Sequence, residues 1–165
     1  MRKIVLVLIL SAMGCSAKRA YPGPARSKED VAVIYAARRV EVVGGLNEFV
    51  RLLALNGQSS VGEWNSNITA AEVLPGDYEV TVRYERKVAS LVGLVLNLGR
   101  QTSPHTLRFS TKAGMTYAIY YAPDSDIYSV AELPIAVSPP QWDAPSGALP
   151  CEKQAESVSF CPTQR

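Results

Sequence analysis

From residue 30 to about residue 133 the chain alternates between apolar and polar side chains with a period of two. This pattern belongs to β-strands, whose successive side chains point to opposite faces of a sheet. Val31, Val33 and Tyr35 share one face of a first predicted strand, with Ala32, Ile34 and Ala36 opposite; residues 40–43 either continue it or form a second strand before Gly44-Gly45. Residues 49–55 run into Asn56-Gly57, and both turn positions tolerate positive φ, so a hairpin is expected with its return strand over 61–64. A strand over 68–73 is followed by Leu74-Pro75-Gly76-Asp77, a turn in which proline presets φ and glycine accepts the positive φ that follows. Next, Tyr78, Val80, Val82 and Tyr84 line one face, while Glu79, Thr81 and Arg83 line the other, as expected of a sheet with one buried and one wet side. Leu107, Phe109 and Thr111 form a further alternating set. A turn over 112–115, a tyrosine-rich strand over 116–122 and a strand over 127–131 complete the series. Many short strands separated by turn signals imply an all-β chain folded as a single antiparallel β-sandwich.

Two flanking regions differ from this body. The first fifteen residues read MRKIVLVLILSAMGC: two cations, an unbroken apolar run from Ile4 to Leu10, and small residues before a cysteine. This is the three-part layout of a secretory signal peptide, and its apolar core is too short for a membrane span of about 20 residues. After Leu133 the character changes again, with six of the eleven prolines at Pro134, Pro139, Pro140, Pro145, Pro150 and Pro162. An extended or irregular tail over 134–165 is expected, unable to supply interior strands because proline lacks the amide donor.

The cysteine at the expected cleavage point resembles the lipobox of bacterial lipoproteins, with Ala12 at the position where that pattern favours leucine. The resemblance implies removal of residues 1–14, a diacylglyceryl group on the Cys15 sulfur and acylation of the new amino terminus. Ser16 follows the cysteine, with no aspartate as an inner-membrane retention signal. By resemblance to enterobacterial lipoproteins, this implies a lipid-anchored, periplasm-facing protein of the outer membrane. Several acyl chains on one residue make such attachment stable, where a single chain would hold only marginally. Residues 15–29, with Tyr21-Pro22-Gly23-Pro24, are then expected to be a tether that neither packs nor pairs.

Cleavage would remove Arg2 and Lys3 from a formal charge of +2, leaving the mature chain close to neutral. A nucleic-acid partner is not expected, since binding needs clustered Lys and Arg. Arg38-Arg39 and Arg86-Lys87 are the compact basic spots, read as solvated strand ends. With Cys15 assigned to lipid, Cys151 and Cys161 remain as an even pair in a chain bound for an oxidising compartment. A disulfide closing a small loop in the tail is expected.

The order of Asn56-Gly57, then Val73-Leu74-Pro75-Gly76-Asp77-Tyr78-Glu79-Val80, then Phe109 through Ala113-Gly114-Met115-Thr116-Tyr117 is similar to the pattern of PEGA-like and carboxypeptidase-regulatory-like β-sandwich domains. The similarity covers roughly residues 30–132 and implies a fold rather than an activity. It departs from the compact pattern in the long segment between Arg86 and Thr106. That segment holds the most apolar stretch after the leader, residues 88–98, with Leu91, Leu94 and Leu96 as candidate partner contacts. The stretch suits either buried core or an exposed contact surface.

No catalytic constellation is evident. His105 is the lone imidazole, beside Pro104, and is expected as a neutral surface residue in a loop. No nucleophile elbow, phosphate loop or zinc motif occurs, and no cofactor is implied. Asp124-Ser125-Asp126 lacks the rest of a calcium-binding ligand set and is read as a solvated turn. The expected function is a non-enzymatic envelope module that docks another envelope protein. The alternative is binding of a small ligand or glycan by the tyrosines of 116–122 together with Trp64 and Trp142.

Overall fold

The computed structural model describes residues 17–40, 46–59, 69–88, 100–138 and 144–162. Among these residues regular structure is entirely β, as the alternation requires. The strands are β1 (Lys18–Arg19), β2 (Ala32–Ala36), β3 (Arg38–Val40), β4 (Leu46–Leu55), β5 (Gln58–Ser59), β6 (Ala70–Val73), β7 (Gly76–Val88), β8 (Arg100–Gln101), β9 (His105–Thr111), β10 (Met115–Ala122), β11 (Ile127–Pro134), β12 (Leu149–Pro150), β13 (Glu152–Ala155) and β14 (Val158–Phe160). Sheet one has the order β1-β6-β2-β10-β11-β12. Sheet two runs β13-β14-β9-β7-β4-β3, with β5 added to β4 and β8 to β7.

The two sheets share a hydrophobic core. Ile34, Val73, Ile119 and Val130 of sheet one belong to the same buried cluster as Val50, Val80, Val82 and Leu107 of sheet two. The expected alternation is visible in β2, where Ala32, Ile34 and Ala36 are fully buried and Val33 and Tyr35 only partly so. In β7, Val80, Val82 and Tyr84 are buried as expected, while Tyr78 is half-buried. Strand β10 departs from alternation, being buried on both faces from Thr116 to Tyr121. It lies inside sheet one, and a second small cluster of Ala37, Ala118, Tyr120 and Ala131 covers its other face.

Turn chemistry sits where the sequence placed it. Asn56 and Gly57 adopt φ of 48° and 74° between β4 and β5, and Gly114 adopts φ of 73° before β10. The expected return strand over 61–64 lies outside the described residues, as do residues 41–43; the return pairing that is described is β5.

The expectation of a purely antiparallel arrangement is corrected. Most pairs are antiparallel, as in the β10–β11 hairpin and the longer-range β4–β7 and β7–β9 pairs. Three pairs are parallel: β2 with β10, β1 with β6, and β9 with β14. Each joins strands separated by other elements, and such crossovers leave strand direction free, whereas a tight hairpin forces reversal.

Two further expectations are corrected at the flanks. The tether does pack: β1 pairs with β6, the Ala20 N–H donates to the Glu72 carbonyl at 2.8 Å, and Tyr21 is buried with its hydroxyl donating to Glu72 at 2.6 Å. The tail is not irregular throughout. Residues 149–150 join the edge of sheet one, and β13–β14 form a hairpin whose second strand is interior to sheet two. That strand, Val158-Ser159-Phe160, contains no proline, so the missing-donor argument does not reach it.

Candidate functional site

The chain crosses between the sheets several times, and the crossings at Ala37 and Cys151 are fixed by backbone hydrogen bonds. At Ala37, fully buried between β2 and β3, the N–H donates to Ile119 of sheet one and the carbonyl accepts from Val50 of sheet two, each at 2.9 Å. At Cys151, between β12 and β13, the N–H donates to the Tyr128 carbonyl of sheet one at 2.8 Å. Cys161 donates in turn to the Arg108 carbonyl of sheet two at 2.9 Å. The two sulfurs stand at disulfide distance, 2.11 Å apart, so this bond ties the β12 edge of sheet one to the end of β14 inside sheet two.

Beside this staple lies the main gathering of titratable side chains. Tyr84, Tyr121, Tyr128 and His105 form a ladder of rings with successive centroid separations of 4.6, 4.7 and 5.3 Å. Each polar tip is satisfied. Tyr84 donates to Glu48 at 2.7 Å, Tyr121 donates to Asp126 at 2.7 Å, and the Tyr128 and Thr102 hydroxyls lie 3.4 Å apart. Burial, reinforced by the adjacent carboxylates, drives the Tyr84 and Tyr121 phenols far above their ordinary range. Burial also pushes Tyr117 and Tyr120 up to about 12, so these rings stay neutral at physiological pH.

His105 is corrected from surface loop to buried first residue of β9. Its Nε2 lies 2.8 Å from the Ser159 hydroxyl on β14. Burial, with the Lys153 ammonium adding to it against Asp126, holds the imidazole below its ordinary range. A serine beside a neutral imidazole has the elements of a nucleophile and base. Here, however, His105 and Ser159 are only 9% and 2% exposed, so an acyl or phosphoryl group has no approach to the hydroxyl. The contact joins β14 to β9. Sequence reasoning missed it because 54 residues separate the partners and a three-residue strand is too short to display alternation.

A second polar cluster covers the outer face of sheet two. Glu85, 2% exposed, accepts from Arg51 at 2.8 Å and from Arg83 at 2.6 Å. Burial pushes its carboxyl up, but the two guanidinium groups outweigh this and hold it below the usual carboxylate range. Nearby, Phe49 lies 5.3 Å from the Arg51 guanidinium and 5.5 Å from the Lys87 ammonium. Elsewhere on sheet two a shallow hollow of about 170 Å³ runs beside Tyr78, Phe109 and the exposed Phe160. Its charged wall, Glu79 and Arg108, is an ion pair at 2.8 Å.

The other expected positions fall as follows. Asp126 sits in the turn after β10 at φ 53° and pairs with Lys153 at 3.1 Å. Among the described residues no three His, Cys, Asp or Glu side chains gather to hold a metal ion. Tyr117, Tyr120 and Tyr121 are buried, so these rings present no exposed stacking surface for a glycan. Cys15, Leu91, Leu94, Leu96, Trp64 and Trp142 lie outside the described residues. Compared with known proteins, the chain matches no family model, no curated protein and no solved structure.

Proposed function

We propose that this chain is a non-enzymatic cell-envelope lipoprotein, anchored in the outer membrane through Cys15 and facing the periplasm, whose β-sandwich is a docking module for another envelope protein. The leader carries the reading: Arg2-Lys3, the apolar run Ile4 to Leu10, then Ala12-Met13-Gly14-Cys15. Two observations support it. Strand β1 begins three residues after Cys15, so the body sits directly behind the proposed anchor. The titratable clusters are internally satisfied and closed, which suits a scaffold better than a reaction centre. The apolar stretch with Leu91, Leu94 and Leu96 is the proposed partner contact, inserted between β7 and β8.

Mass spectrometry of the mature amino terminus tests the anchor. The expected result is an acylated Cys15 peptide in wild type and release of Cys15→Ser from the membrane fraction. An unmodified Cys15, or cleavage elsewhere, would falsify the assignment. For the partner contact, Leu94→Asp is expected to diminish co-purification of an envelope protein while the circular dichroism spectrum stays unchanged. Unfolding of that variant would assign the segment to the core instead.

A further inference from the structure

Strand directions place the amino-terminal side of β1 and a group of exposed basic side chains at the same end of the described structure. Going backward from Lys18, β1 follows β6 backward, because the two are parallel. Strand β6 is antiparallel to β2, so this direction is the one in which β2 runs forward, through Ala37 and into Arg38 of β3. Only β6 lies between β1 and β2 in the sheet, a lateral distance of roughly 10 Å. Cys15 is three residues before Lys18, at most about 10 Å of chain. A lipid on Cys15 is thus confined to the end of the molecule at which β3 begins.

At that end, three neighbouring residue rows of sheet two collect basic side chains. Arg38 pairs with Phe49, which pairs with Glu85; Arg86 pairs with both Glu48 and Arg100; Lys87 pairs with Asn47. Arg38, Arg86, Lys87 and Arg100 are all exposed, whereas the carboxylates of these rows are buried, Glu48 at 7% and Glu85 at 2%. Glu48 accepts from Tyr84 and lies 3.6 Å from Arg86, and Glu85 is held by Arg51 and Arg83. At the same end of sheet one, the turn after β10 carries Asp126, which is paired with Lys153, and the exposed Asp124. Among the described residues the solvent-facing charges at this end are therefore Arg38, Arg86, Lys87 and Arg100 against Asp124 and Glu156, in a chain whose mature charge is close to zero overall. Arg38 and Arg100 are 62 positions apart and come together only through the β3-β4-β7-β8 pairing, so no local run of the sequence shows this rim.

We infer that the rim formed by Arg38, Arg86, Lys87 and Arg100 is a docking surface for the anionic phospholipid headgroups of the membrane that holds the anchor. The inference rests on the acyl anchor proposed at Cys15. Anionic headgroups attract basic side chains held within a Debye length of the surface, and an anchor of this reach keeps the rim there. The opposite end, with the Asn56-Gly57 hairpin and the turn holding Lys112, then points away from the membrane.

The test uses membrane-extracted protein reconstituted in vesicles of phosphatidylcholine alone or with phosphatidylglycerol, followed by lysine acetylation and peptide mass spectrometry. Lys87 is expected to react roughly fivefold more slowly in the anionic vesicles, with Lys112 unaffected and high salt restoring the rate. Charge reversal by Arg38→Glu with Arg100→Glu is expected to remove the dependence on lipid composition, with an unchanged circular dichroism spectrum. An acylated Cys15 peptide with equal Lys87 labelling in both vesicles overturns the docking surface and leaves the anchor standing. Slowing that persists in the charge-reversed protein, or protection of Lys112 instead, overturns it as well. An unacylated Cys15 peptide removes the anchor and the inference together.

Discussion

His105 illustrates how a single residue changes meaning once its neighbours are known. Its low pKa means that the folded protein resists protonation longer than the unfolded chain does. Around the unfolded imidazole value of about 6.5 the unfolded state therefore binds more protons, and stability falls as pH drops through that value toward the folded one. The urea midpoint is expected to decline between pH 7 and pH 5 in wild type and to be flatter in His105→Gln. The carboxylates act in a separate window. Hydrogen bonds from Tyr121 and Lys153 lower Asp126, and the guanidinium groups of Arg51 and Arg83 lower Glu85 against its burial. Their contributions are lost only as pH falls through their folded values, below the ordinary carboxylate range of about 4. A wild-type decline confined to that acid range, with no difference in His105→Gln, would show that the imidazole carries no linkage.

Among the elements, β1 departs furthest from its sequence expectation. Pro22, Gly23 and Pro24 signal a spacer, yet Lys18 and Arg19 pair with β6 immediately before them and Tyr21 folds inward onto Glu72. The Tyr21 oxygen also accepts from the Arg26 N–H at 3.1 Å, closing the Pro/Gly segment against the sheet. Tyr21→Ala removes these bonds and the ring packing, lowering the local opening free energy by about 1–2 kcal/mol. Trypsin is then expected to cut after Lys18 and Arg19 roughly tenfold faster while the rest of the chain stays intact; unchanged cutting would mean that β1 is already open. Strand existence was legible for β2, β4, β6, β7, β9, β10 and β11, because each is long enough for its faces to alternate or its turns to declare it. Pairing partners were less legible. A period-two pattern records which face a residue occupies, and is silent on whether the neighbouring strand runs with it or against it. The two-residue β1 and three-residue β14 carry too little pattern to be seen at all.

At the scale of the whole molecule, the sheets are joined covalently at the Cys151–Cys161 staple and by backbone at Ala37. The closed loop spans a sequence separation of 10, for which chain-entropy reasoning gives on the order of 2–3 kcal/mol. Cys151→Ser with Cys161→Ser is expected to lose about that much in urea unfolding. Hydrogen exchange should show β13 and β14 opening before the strands around Ile119 and Val82. Loss of protection spread evenly over both sheets would mean instead that the hairpin and body unfold as one unit.

The sequence alone determined the β character of the described residues between 30 and 133 and the turns at Asn56-Gly57 and Gly114, and it alone carries the proposed leader and its cysteine. These are local properties, set by side-chain period, φ tolerance and the order of charge and apolar length. The tertiary structure alone decided the parallel partners, the Ser159 bond to His105, the packed residues 18–21 and the assembly of Arg38 with Arg86, Lys87 and Arg100 on one rim. Each depends on which distant strand lies alongside which, and that is settled by burial of two sheets around one core rather than by any residue's neighbours in the chain.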